Sequence, residues 1–242
     1  LKNLTERFNE LLRRTNDAFM FQKHSIQHIS HELKTPIAVL VSELEKIQQQ
    51  SDIAQIKTEL QGQTQRAKSL GNIINVLLQI SKIEAGQKIT TANIRIDEVM
   101  FDCISEINAL YPAFNFEIYF TPENFNESIL NIEANEPLIR QAFINLLMNA
   151  VHYSDHQKAI ITFDGSSELL TISISNSGKI LSNDEQKFIF TYFFRGQNAQ
   201  NQHGFGLGLV LAQRIFNMHH AVLQYRAEEG SKNVFSINFL QP

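Results

Sequence analysis

The sequence predicts an α+β chain: a helical hairpin that pairs into a dimeric four-helix bundle, followed by an α/β sandwich. Three observations predict it. Apolar residues recur at steps of three and four in two seams between residues 26 and 77. That pattern stops at Ala85, Gly86, Gln87 and Lys88. Beyond it, short β-rich runs alternate with amphipathic helical stretches, the signature of helices laid over one face of a mixed sheet.

The first seam is Ile26, Ile29, Leu33, Ile37, Leu40, Leu44 and Ile47, and the second is Ile53, Ile56, Leu60, Ala67, Leu70, Ile74 and Leu77. Gln50, Ser51 and Asp52 connect them, so an antiparallel hairpin follows. One hairpin buries its seam poorly alone, and a second copy completes a four-helix bundle. Upstream, Leu4, Phe8, Leu11 and Phe19 extend the first helix less regularly. After the hairpin, strands are expected at Phe116–Phe120, Ile129–Ile132, Ala159–Phe163, Leu169–Ser175, Ala221–Tyr225 and Val234–Phe239. Helices are expected at Asp97–Leu110, Pro137–Tyr153 and Leu207–His219. The Gln/Asn/Gly-rich run 196–203 has one small apolar residue, Ala199, and reads as a mobile loop able to cover a site.

Composition narrows the function. Hydrophobic residues are 43% and charged residues 19%, as in ordinary soluble domains, and 242 residues suffice for a real core. A net charge of −4 implies no general nucleic-acid surface. The single cysteine, Cys103, excludes an internal disulfide and a cysteine zinc cluster, and its apolar-periodic setting places it in the core. No run of about 18 apolar residues occurs, nor a secretory leader pattern. The chain starts at Leu1 rather than Met, as expected of a fragment or of a processed form.

Four stretches carry chemistry. In Ser30-His31-Glu32-Leu33-Lys34-Thr35-Pro36 a proline breaks the helical bond to Glu32 one turn after a histidine. At 100° per residue His31 points about 160° away from Ile29 and Leu33, so it faces solvent, with Thr35 on nearly the same face. A carboxylate beside an exposed imidazole holds one ring N–H and frees the other nitrogen as a nucleophile. A surface histidine beside a solvated carboxylate gives the same dipeptide, and His24, His28 and His31 share a face that could bind a metal. In the helix 140–150, Asn145 and Asn149 stack on one face, opposite Phe143, Leu146, Leu147 and Ala150. Asparagine is a poor mid-helix residue, and this pair's oxygens suit Mg²⁺ shared with phosphates. Gly204, Gly206, Leu207 and Gly208 open a helix where a backbone can approach phosphate, although a flexible hinge has the same composition. Ser175-Asn176-Ser177-Gly178 ends a strand, either as a plain turn or as a reader of an adenine amino group.

Taken in order, these stretches resemble the transmitter region of a bacterial sensor histidine kinase, over nearly the whole chain. Residues 30–36 look like its H box, Asn145–Asn149 its N box, Phe190-Thr191-Tyr192-Phe193-Phe194-Arg195 its F box and Gly204–Gly208 its second glycine box. The resemblance implies a gyrase/Hsp90/histidine-kinase type of ATP-binding sandwich. It implies four segments: 1–19, the end of a HAMP-like linker; 20–85, a dimerisation and phosphotransfer hairpin; 86–93, a linker; and 94–242, the catalytic domain. It makes His31 the phosphate acceptor, Glu32 its base and Thr35 the residue that helps hydrolyse a phosphorylated regulator. Asn145 and Asn149 would hold Mg²⁺ and phosphates. His152, Tyr153, Asn176, Gly178, Arg195, Gly204, Gly206, Leu207 and Gly208 would complete the ATP site. The implied partners are a second copy and a response-regulator receiver domain, with no nucleic acid. A membrane is implied only through segments upstream, making this the cytoplasmic portion of a bacterial inner-membrane protein.

Two departures bear on rate. The first glycine box normally begins with aspartate, where this chain has Asn176, and its second glycine position is Ile180. The N box commonly has lysine where this chain has His152. Weaker ATP binding and less phosphate neutralisation are expected. The alternatives are a phosphatase-dominant enzyme, a nucleotide-insensitive dimer that sequesters a regulator, and a gyrase- or Hsp90-type ATPase that does not need His31.

Overall fold

The computed structural model describes residues 34, 37–50, 52–86, 89–122, 125–165, 169–199, 205–228 and 230–239. The chain divides into two compact units, residues 1–75 and 76–242. The expected linker helix 1–19 and the H-box residues His31, Glu32, Thr35 and Pro36 lie outside the described residues.

In the first unit, helix α1 spans residues 37–48, and α2, Ile53–Glu84, starts after a short turn. Asp52 begins α2 by accepting the Gln55 N–H on its carboxylate at 3.3 Å. Gln50 ties the turn to α2 through Glu59, at 3.0 and 3.1 Å. Ile47, Gln63, Leu70 and Ile73 are buried, whereas Ile37, Leu44, Ile53, Leu60 and Ile74 are exposed. The buried stripe of α2 is thus rotated by about one position from the expected seam. The apolar band is wider than one seam, so a single chain covers one edge of it and leaves the other in solvent.

The second unit holds a two-stranded ribbon of β1 (Ala92–Arg95) and β3 (Asn131–Ala134) and a separate five-stranded mixed sheet ordered β2-β4-β5-β7-β6. The sheet strands are β2 (Asn115–Thr121), β4 (Lys158–Asp164), β5 (Thr171–Ser177), β6 (Ala221–Glu228) and β7 (Lys232–Phe239). Only the β2–β4 pair is parallel. Strand alternation sets the two faces. Ala159, Ile161, Phe163, Ile172, Ile174 and Ile237 are buried. The intervening row Thr162, Ser173, Ser236 and Gln224 runs in register across four strands and is polar. Helices α3 (Ile96–Leu110), α4 (Glu136–Tyr153) and α6 (Gly208–Met218) form the helical layer, with α4 packed on β4 and β5 and α6 on β6, and a single turn, α5 (Asn183–Gln186), precedes α6.

Met100, Cys103, Phe143, Leu146, Leu147, Leu211 and Phe216 are sealed from solvent, each side chain contributing about 2–3 kcal/mol where large and apolar. Burial pushes the Cys103 thiol up to about 12, so it is inert core. The last turns of α2 belong to this unit: Val76, Ile80 and Ile83 join its core, and Gln141 donates to Gln79 at 2.9 Å.

The strands differ from expectation in three places. Residues Glu127–Leu130 form a 3-10 turn, closed by Asn126 accepting from Ser128 N–H, so β3 is Asn131–Ala134 rather than 129–132. Its partner β1, Ala92–Arg95, was not foreseen. The strand expected at 169–175 runs two residues later, ending beyond Asn176.

Candidate functional site

Three element ends converge: the end of β5, the C-terminal half of α4 and the start of α6. Helix α4 is placed by both ends. Its N-cap Asn135 accepts the Leu138 N–H at 3.1 Å. Asn135 N–H donates to His219 Nε2 at 3.0 Å, while His219 Nδ1 lies 2.7 Å from the Ile215 carbonyl. A carbonyl only accepts, so His219 carries its proton on Nδ1 and is neutral. Burial lowers its pKa to match. His219 thereby locks the start of α4 to the end of α6.

At the β5 end, Asn176 is only 3% exposed. Its amide donates to Tyr153 O at 3.2 Å and to Ser177 O at 3.3 Å. Gly178 follows at a point of contact: a Cβ there would lie 2.1 Å from Tyr153 O, so any other residue displaces backbone. Tyr153, half-buried, has its hydroxyl pKa raised by burial, against the opposing charge of Arg195. Strand end, α4 terminus and Arg195 therefore share one neighbourhood. The Arg195 guanidinium also donates to Ala199 O.

At the α6 end the backbone is open. Leu207 is the N-cap residue, is buried, and makes no side-chain capping bond. The first N–H groups of α6 then present donors and the positive end of the helix dipole. Gly206 has φ +67°, and a Cβ there would lie 2.4 Å from Phe194 O. Phe193 is itself left-handed, at φ 61°, and its N–H donates to Gly206 O at 3.1 Å. Asn145 faces this turn: a Cβ on Gly208 would meet its Oδ1 at 3.4 Å. Asn145 Nδ2 is buried and has no hydrogen-bond partner among the described residues. Such an orphan costs about 1–3 kcal/mol unless a ligand completes it. Asn149 stands one turn on, half-buried.

Of the expected site residues, the structure brings Asn145 to Gly206, Leu207 and Gly208, and Tyr153 and Arg195 to Asn176 and Gly178. His152 lies edge-on to the Tyr111 ring, centroids 6.4 Å apart. Gly204 and residues 200–203 of the expected covering loop lie outside the described residues, as do His31, Glu32 and Thr35. Among the described residues no cluster of three His, Cys, Asp or Glu side chains could hold a metal. An Mg²⁺ here would rest on amide and phosphate oxygens, the hard neutral and anionic donors it accepts.

Residues 134–242 match the family model described as histidine kinase-, DNA gyrase B- and HSP90-like ATPase, and residues 22–86 match the His kinase A (phospho-acceptor) domain. The chain belongs to the histidine kinases. Signal transduction histidine-protein kinase ArlS of Staphylococcus epidermidis is 24% identical over 243 residues, covering 98% of this chain and 52% of that protein. The Staphylococcus aureus ArlS is 25% identical over 245 residues, at 99% and 53% coverage. The chain thus spans about half the length of the curated relatives it matches. In fold it is similar to Acinetobacter baumannii histidine kinase AdeS, with a TM-score of 0.68 at 21% identity over 86% of this chain and 96% of that one. Histidine kinase ThkA in complex with response regulator protein TrrA gives a TM-score of 0.66 at 20% identity, covering 88% of this chain and 59% of that one.

Sequence reasoning missed several residues that the fold places at or beside the site. Asn233 and Tyr225 lie in strands and reach the Gly178 segment only through sheet register. Glu84, the last residue of α2, accepts from Tyr192 OH at 2.9 Å and pairs with Arg214 at 3.2 Å. Burial and this carboxylate push the Tyr192 hydroxyl up to about 12. Tyr192 lies inside the F box, which was the one available signal.

Proposed function

We propose that this chain is an ATP-dependent protein histidine kinase that phosphorylates its own His31 and passes the phosphoryl group to an aspartate of a response-regulator receiver domain. The observation that carries the reading is the unfinished phosphate end: the orphan Asn145 amide, the left-handed Gly206 and the uncapped start of α6 converge on one place. The phospho-acceptor domain match over residues 22–86, with His31 inside it, supports a protein histidine as the acceptor.

The α6 N–H groups and the two asparagines bind and orient the triphosphate. Asn145 and Asn149 would hold Mg²⁺ through their side-chain oxygens, and the ion would neutralise charge on the phosphate oxygens. Glu32 holds one ring N–H of His31, leaving the other nitrogen's electron pair free. That nitrogen forms a bond to the γ-phosphorus as the bond to the bridging oxygen breaks, and ADP leaves with that electron pair. Positioning and charge neutralisation do most of the work in such a transfer. Thr35 orients a water for hydrolysis of the phosphorylated regulator. His152, Tyr153, Asn176, Gly178, Arg195 and Gly204 complete the nucleotide site.

The exposed Ile37, Leu44, Ile53, Leu60 and Ile74 support a homodimer through the hairpin. The ThkA–TrrA complex supports a receiver-domain partner. Membrane-spanning segments would lie upstream, leaving this part in the cytoplasm; no helix among the described residues is long and apolar enough to cross a membrane.

The test is incubation with γ-labelled ATP and Mg²⁺ beside His31→Gln. Acid-labile, base-stable label on the wild type alone is expected. Label retained on His31→Gln contradicts the assignment, and no label with Mg·ATP still bound turns the reading towards regulator phosphatase.

A further inference from the structure

The base end of the site contains polar groups beyond those the resemblance assigns. The Gly178–Leu181 segment is tied at both ends. Gly178 N–H donates to Ser231 O at 2.8 Å, and Gly178 O accepts from Asn233 Nδ2 at 3.3 Å. Leu181 N–H donates to Tyr225 OH at 3.3 Å, and Leu181 O accepts from Gln186 at 2.9 Å. Tyr225 OH in turn donates to Asn233 Oδ1 at 2.7 Å. Asn233 is 6% exposed and stands directly across from Asn176 in the β5–β7 register. Ile180, where the resemblance would place a second glycine, is exposed within this tied segment.

Asn176 is fixed by the same surroundings. The two atoms its amide corner meets, Tyr153 O and Ser177 O, are both carbonyl oxygens and can only accept. That corner must be the NH₂ group, so the amide has one orientation. Its oxygen accepts from no described residue and is the one group left to offer.

We propose that Asn233 and Tyr225 are positioning residues for the base of the nucleotide: they hold Gly178–Leu181 so that Asn176 presents its carbonyl oxygen, and only that atom, to the purine. The inference rests on the ATP-binding reading above. It commits the site to a purine with an amino donor at C6. A 6-oxo purine would set carbonyl against carbonyl, and a buried acceptor left unpaired is costly. The neutral amide thus keeps the selectivity of a carboxylate without its charge, because its surroundings remove the ambiguity of an amide.

The experiment is calorimetric titration of the 1–242 chain, its Tyr225→Phe and its Asn233→Ala variants with Mg·ATP and with Mg·ITP, whose base is 6-oxo. The wild type is expected to prefer ATP by about tenfold or more, the effect of one well-made hydrogen bond. Tyr225→Phe should weaken ATP about fivefold and narrow the ATP-to-ITP ratio. Asn233→Ala should do the same more strongly. Tyr225→Phe removes one oxygen from a ring packed 5.2 Å from Phe235, so it keeps the test readable if Asn233→Ala does not fold. Equal weakening of both nucleotides, or no change, overturns the positioning role. Equal wild-type affinity for ATP and ITP overturns the acceptor assignment while the ATP reading stands. A wild type that binds neither overturns both.

Discussion

The two ends of the nucleotide site are built on opposite terms. At the base end, Asn176, Gly178, Asn233 and Tyr225 make their hydrogen bonds to one another and to neighbouring backbone. At the phosphate end, Asn145 Nδ2 is buried without a partner among the described residues, and α6 starts without a side-chain cap. The protein completes the base end itself except for the Asn176 carbonyl oxygen, and leaves the phosphate end for a ligand to complete. Removing a group from the completed end should therefore cost the fold first. Removing one from the open end should cost function first, and can even stabilise the apo protein.

Matched glycine substitutions can break that distinction. Gly206→Ala puts a side chain on a residue at φ +67° and 2.4 Å from Phe194 O, displacing the turn that faces phosphate. A displacement of about 1 Å there should lower the labelling rate about a hundredfold, while alanine at a positive φ costs about 1 kcal/mol of stability. Gly178→Ala, with its Cβ 2.1 Å from Tyr153 O, should instead lose about 2–3 kcal/mol in denaturant unfolding, since two packed backbones must separate. If the two variants show the reverse pattern, the contrast between the ends is wrong.

A smaller effect sharpens the account of how α4 is held. His219 is neutral in the fold, with its pKa lowered by burial below the usual 6.5. In the window below 6.5 the unfolded chain binds more protons than the folded one. Its contribution is therefore fully present above 6.5 and is lost as pH falls towards the folded-state value. Protonation would also set a donor against the Asn135 N–H. Melting followed from pH 7.5 to 5 should show this decline, and His219→Gln should flatten it. An unchanged slope in the variant would remove His219 from the account.

What could be read in the sequence was periodic or contiguous. The α4 pattern of Phe143, Leu146, Leu147 and Ala150 against Asn145 and Asn149 needed only helical spacing, and all four apolar residues are buried. The alternation of Ala159, Ile161 and Phe163 gave β4 in the same way. The 3-10 turn at Glu127–Leu130 was misread because Ile129 and Leu130 are apolar in either conformation, and the deciding Asn126 cap is a turn signal outside the apolar run. Strand β1 is short, and its pairing with β3 depends on residues some forty positions away. Asn233 and Tyr225 carried no local signal, because their role arises from register across the sheet and from the Gly178 turn. The departure at Asn176 was visible, but its consequence was not. Only the Tyr153 and Ser177 carbonyls reveal which end of the amide faces them.

The contrast between the ends is tested most directly by melting the wild type and Asn145→Leu with and without saturating Mg·ATP. Leucine has nearly the size of asparagine and removes the buried orphan, which should stabilise the apo variant by about 1 kcal/mol. Nucleotide should raise the wild type by mass action and leave the variant almost unmoved. The account requires the order of the two melting temperatures to reverse on adding Mg·ATP. The same order in both conditions, or an equal rise in both proteins, would contradict it.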